Sequence, residues 1–148
     1  MSIIKIILTM FSYKAPNPHA FVNINLQSTM GELTEVISKV NELLPQLSGF
    51  IDQFNNTVLT TNINVITDVT GNMDIDVPAS MSDIEANNIS KRIGILDRLI
   101  STRGQEIDSL LHKGLEIESK LKEQNPNYTS QIIDKVNEFK KLNTSYKH

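Results

Sequence analysis

Apolar residues recur in steps of four and three through two long stretches of this chain. From Leu33 to Val58 they fall at Leu33, Ile37, Val40, Leu44, Leu47, Ile51, Phe54 and Val58. From Ile89 to Leu121 the rhythm returns, broken only at Arg103 and Gly114. Such spacing keeps one stripe of a helix facing a partner over many turns, and it predicts two long helices.

The first helix is predicted over residues 29–58. Thr29 and Glu32 have capping-box spacing at its start. Pro45 removes a backbone donor inside the pattern, but the heptad phase runs through it unbroken, so a kink is expected and not a stop. With Ile37 at position a, the residues Val36, Leu43 and Phe50 fall at g. The stripe is then three rows wide, which calls for burial against at least two neighbours.

Residues 59–78 change period. Val65, Thr67 and Val69 share one face of a strand, as do Met73, Ile75 and Val77, and Thr70-Gly71-Asn72 lies between the two runs. A β-hairpin is predicted over 62–77, with Gly71 supplying a positive φ at the turn. The second long helix is predicted over 83–123, opened by the capping box of Ser82 and Glu85. Ser101-Thr102-Arg103-Gly104 is its weakest stretch, and a turn there is the alternative. Asn125-Pro126-Asn127 breaks the chain. A C-terminal helix over 128–143 is expected to fold back antiparallel, burying Ile132, Ile133, Val136 and Phe139, with a frayed basic tail from Lys140 onward.

Residues 1–28 are predicted to form an extended arm. Pro16 and Pro18 push their predecessors out of the α region, and Val22, Ile24 and Leu26 alternate like a short strand. Residues 1–11 are apolar but shorter than the roughly 20 residues a membrane span requires. They read as a buried strand or docking arm, with membrane contact as the alternative. The expected fold is mainly α: an elongated helical bundle or coiled coil, with a β-hairpin between the two long helices and a short N-terminal extended arm.

The second heptad carries a further expectation. Ile93, Ile100 and Ile107 occupy a, while Leu96 and Leu110 occupy d, a choice that favours parallel two-stranded coils. Two opposite-sign pairs, Arg92 with Asp97 and Lys113 with Glu118, suit g and e′ positions between chains. Leu99 and Leu111 lie beside the seam and need cover, as do Ile95 and Leu115. The candidate interaction residues are therefore Ile93, Leu96, Leu99, Ile100, Arg103, Ile107, Leu110 and Leu111. An unpaired Arg103 on a closed seam would be costly, so it marks an open layer or a contact with an acid. Three arrangements fit: an intrachain bundle, a bundle that also self-associates, and an extended coil between chains.

Composition narrows the function. The net charge is −3, with −4 in residues 1–80 and +1 in residues 81–148, so no basic field points to nucleic acid. The chain has no Cys, which removes disulfides, thiolate metal sites and cysteine nucleophiles. His19, His112 and His148 lack ligand spacing. Asp68, Asn72, Asp74 and Asp76 are dense oxygen donors, but the acids follow the glycine and no Glu closes a calcium loop. No phosphate loop, zinc motif or nucleophile elbow is present. No catalytic, metal or cofactor residue is therefore assigned, and the compartment stays open. The expectation is a non-enzymatic structural or assembly protein, a small coiled-coil subunit of a larger viral, phage or organellar particle. Its partners would be proteins, its own copies included. The alternative is a membrane-active or membrane-docked helical protein using residues 1–11.

Overall fold

The computed structural model describes residues 18–70 and 72–146, with side chains from Gln27 onward. It contains helix α1 (Pro18–Thr61), strands β1 (Asn64–Thr67) and β2 (Met73–Asp76), and helices α2 (Asp83–Gln124) and α3 (Ile133–Ser145). The chain is mainly helical, with the hairpin between the two long helices as the pattern predicts. At 1.5 Å per residue, α1 and α2 each run for more than about 60 Å.

α1 begins eleven residues earlier than the capping box at Thr29 suggests, and residues 18–28 are helical, neither extended arm nor strand. Two features account for this. Pro18 stands at the first helical position, where its missing N–H is no loss. Leu26 and Met30 continue the four–three spacing backward from Leu33, and Met30 packs against the core. The arm expected over residues 1–17 lies outside the described residues. α1 runs through Pro45 without a stop. It ends at Asn62, which adopts φ 53°, while the Ile63 amide donates back to the Val58 carbonyl at 3.4 Å. That bond closes a Schellman motif, with Asn accepting the left-handed position.

The hairpin pairs antiparallel, Val65 opposite Ile75 and Ile66 opposite Asp74. Its inner face, Val65, Met73 and Ile75, packs against the helical core. Asp68 organises the turn: one carboxylate oxygen accepts from the Thr70 amide and hydroxyl and from the Asn72 amide, at 2.6–3.0 Å. Gly71, expected to carry the positive φ, lies outside the described residues. Ser82 caps α2, its hydroxyl accepting from the Glu85 amide at 3.2 Å. The helix is continuous through Ser101–Gly104.

α1 and α2 lie antiparallel, with Val36 near Gly114 and Gln46 bonded to Arg103. α3 returns along α2 and beside α1. One buried core runs between them, from Leu33, Val40, Leu47 and Phe54 on α1 to Ile93, Ile107 and Leu121 on α2 and Ile132 at the head of α3. α3 starts several residues later than expected and reaches Ser145. Tyr146 is anchored beyond it, so the expected fraying does not extend to this residue. Ile132 and Phe139 are buried, but Ile133 is largely exposed, one step off the inward stripe.

Of the glycines on α2, only Gly114 is a close-packing point. A Cβ there would meet two atoms of the fully buried Ile132 side chain at 2.9 Å, whereas one at Gly94 or Gly104 would meet nothing within 4 Å. Gly114→Ala is therefore expected to destabilise by about 1–3 kcal/mol through overpacking. Gly104→Ala is expected to stabilise by up to about 1 kcal/mol through helix propensity. Urea unfolding midpoints of the two variants check this opposition of sign.

Candidate interaction surface

The predicted seam lies inside the chain. Ile93, Leu96, Ile100, Ile107 and Leu111 are buried in the core that α2 shares with α1, and Leu110 is half-buried against the same core. The dimer-like Ile/Leu pattern is satisfied by an antiparallel helix of the same molecule. Leu99 is half-buried, and Ile95 and Leu115 remain exposed. Arg103 stays at the edge of its layer. Its Nε donates to the Gln46 side-chain oxygen on α1 at 2.9 Å, and a terminal nitrogen pairs with Glu106 at 2.8 Å. The acid expected of a partner comes from its own helix, one turn on.

The two acids proposed for interchain g–e′ pairs are occupied within the chain. Glu118, a buried carboxylate on α2, accepts from the Tyr128 hydroxyl at 2.7 Å and the Ser130 hydroxyl at 2.5 Å. The same carboxylate accepts from the amides of Gln131 at 2.7 Å and Ile132 at 3.2 Å. These amides lead into α3, whose own N-cap residue, Ile132, offers no side-chain acceptor. The first amide of α3 itself, Ile133, donates to the Ser130 hydroxyl at 3.1 Å. Glu118 thus anchors the segment that enters the helix, Ser130 included, and places negative charge near the positive end of the helix dipole. Burial alone would push its carboxyl up. The hydrogen bonds from Ser130, Gln131, Tyr128 and Ile132 overcome that and hold it below the ordinary value of 4.5. Burial and the facing carboxylate push the Tyr128 phenol up to about 12.

Asp97 plays the matching part at the other end of α3, where it accepts from the Tyr146 hydroxyl. The Tyr146 ring meets Phe54 edge-on, centroids 4.8 Å apart, and Asn55 donates to the Ser145 carbonyl at 2.8 Å. An edge-to-face pair of this kind adds about 0.5–1.5 kcal/mol beyond burial. Burial and the Asp97 bond push the Tyr146 phenol well above the ordinary tyrosine range.

With α3 seated on the Asp97 and Glu118 side of α2, none of the described residues covers the opposite side. There Phe50 and Gln53 of α1 and Asn88, Lys91, Arg92, Ile95, Leu96 and Leu99 of α2 line an open groove of about 420 Å³. Its floor is apolar and both of its charged residues are basic. Leu99 and Leu96 are the expected interaction residues that reach it. Phe50 was legible as a g-row residue of the first heptad and Arg92 as one member of an expected interchain pair, while Lys91 carried no signal as a site.

The hairpin acids form no cation site, and among the described residues no group of three or more His, Asp or Glu could hold a metal ion. His112 sits exposed beside Asp108 of its own helix, whereas the side chain of His19 and all of His148 lie outside the described residues. So do residues 1–11, on which the expected membrane contact rests. Among the described residues no helix is long and apolar enough to cross a membrane.

The Glu118 anchor has a pH signature. A carboxyl held below its unfolded value contributes stability that is complete above about 4.5, and that disappears as pH falls through the folded-state value. Glu118→Gln is expected to lower stability at pH 7 by about 1–3 kcal/mol and to flatten the loss of stability in acid. Urea titrations of both proteins between pH 3 and 7 test this; parallel curves would show that the carboxylate charge is not the stabilising element.

No family model, no curated protein and no solved structure matches this chain at a significant level.

Proposed function

We propose that this chain is a non-enzymatic structural protein, a small helical subunit that assembles with its own copies, and through them with other proteins, into a larger particle of viral, phage or organellar kind. The observation that carries the reading is where apolar surface is left over. Leu59, Ile66, Val69, Val77, Ile84 and Ile95 are large apolar side chains in contact with water, and all belong to the hairpin or to the adjoining portions of α1 and α2. Two further exposed apolar residues, Leu115 and Ile133, lie together beside Glu118 toward the other end. Scattered single exposures are ordinary, but the gathering of six of these eight at one end is a mark of an interaction surface. The open groove lies in the same half.

The coiled-coil part of the reading is narrower than the heptads imply. A parallel α2–α2′ coil would need the seam that α1 covers and the Asp97 and Glu118 row that α3 covers. Assembly therefore uses the outside of the bundle. Light scattering of the purified protein at high concentration is expected to give a multiple of the chain mass. A compact monomer at every concentration would overturn the reading.

A further inference from the structure

We propose that the basic, apolar-floored groove between α1 and α2 receives the β-hairpin of a second copy of this chain, forming a two-fold dimer. The inference rests on the assembly reading above and names the partner and the contact.

The groove presents Phe50, Ile95, Leu96 and Leu99 as its apolar part, and among the described residues its charged lining is Lys91 and Arg92. Ile95 is half exposed, and both cations are exposed. Neither cation belongs to an ion pair among the described residues. A fitting partner presents an apolar knob flanked by two carboxylates.

The outer face of the hairpin has that composition. The register sets Ile66 opposite Asp74 and Asn64 opposite Asp76, so these four residues share one face. All four are exposed, Ile66 by 55%. Asp74 and Asp76 form no ion pair among the described residues. One apolar residue beside two unpaired carboxylates thus faces outward, the complement of a groove with an apolar floor and two unpaired cations.

The two surfaces cannot meet within one chain. The inner face, Val65, Met73 and Ile75, is already packed on the molecule's own core, which aims the outer face away from it. Between two copies the same pair of surfaces meets twice, hairpin to groove and groove to hairpin, and the contact closes on itself. Ile95 lies twelve residues inside α2, about 18 Å from its start. The copies would overlap antiparallel at their hairpin ends over a comparable length.

Charge reversal with rescue tests the assignment. The full chain is compared with K91E/R92E, D74K/D76K and the fourfold variant by sedimentation equilibrium, with circular dichroism as a check on folding; all four positions are exposed. The wild type is expected to dimerise, and each double variant to dimerise at least about tenfold more weakly, because like charges would then face one another. The fourfold variant is expected to recover to within about threefold of the wild type, since every pair is restored with its signs exchanged. A wild-type dimer indifferent to both double variants, or a folded fourfold variant that does not recover, would overturn the hairpin–groove contact and leave the assembly reading standing. A wild type that stays monomeric would overturn both.

Discussion

Glu118 decides how this molecule closes. α3 has only 13 residues, too few to hold a helix in water unaided. Ser130 accepts from its first amide, Ile133, but the amides of Gln131 and Ile132 that lead into it still need an acceptor. The carboxylate of α2 supplies one, while the amides and the Tyr128 and Ser130 hydroxyls supply what a buried charge requires. Each side would be costly without the other: two unpaired backbone amides on one hand, an unsolvated carboxylate on the other. Their pairing fixes the register of α3. Ile132 is set against the bare backbone of Gly114, and the far end of the helix falls where Tyr146 reaches Asp97 and Phe54. Asp97 and Glu118 stand three heptads apart on the same row of α2, so one line of the helix carries both fastenings. Between them on that row lie Gly104, open to space, and Leu111, buried.

That row is the one a two-stranded coil would use for its flanking charges. Once α3 occupies it, α2 has its a and d positions against α1 and its e positions against α3. Among the described residues, the side carrying Arg92, Ile95 and Leu99 is left without an element packed on it. An apparently dimeric seam becomes the interior of a single chain, and the apolar surface left over is displaced by one row.

The local signals in the sequence describe the helices well and their ends unevenly. Ser82 and Glu85 mark the start of α2 because the cap is made within four residues. The continuity of the heptad through Ser101–Gly104 and past Pro45 identifies two uninterrupted helices, since a turn at either place would have thrown the stripe out of phase. Thr29 misleads because a valid capping spacing occurs inside a longer helix. Asn23 and Asn25, poor helix formers, give residues 21–26 a strand-like alternation that hides the continuing positions Leu26 and Met30. The start of α3 was legible only to within several residues: Ser130 accepts locally from the Ile133 amide, but the segment before it is held by Glu118, more than ten residues away and across a turn. Arg103 belongs to the same class: Gln46, its partner on α1, is 57 residues distant. Tyr146 sits in a polar, basic tail and gains its place only from Phe54 and Asp97. Long-range polar partners leave no periodic trace, and these set the positions of α3 and of the free face.

A pair of long helices has more apolar surface than each can cover for the other, because the α1 stripe is three rows wide. Along the lower part of the bundle α3 supplies the third element, up to the level of Asp97. Beyond that level the inner face of the hairpin takes over, with Val65, Met73 and Ile75 against the core. Two four-residue strands are a small cover and are stable only through what they pack upon. They shield the axis of the pair but not its flank, where Phe50, Ile95 and Leu99 line the open groove. The residual apolar surface follows from this handover between a helix and a shorter hairpin, and it lies where neither of the two described covering elements reaches.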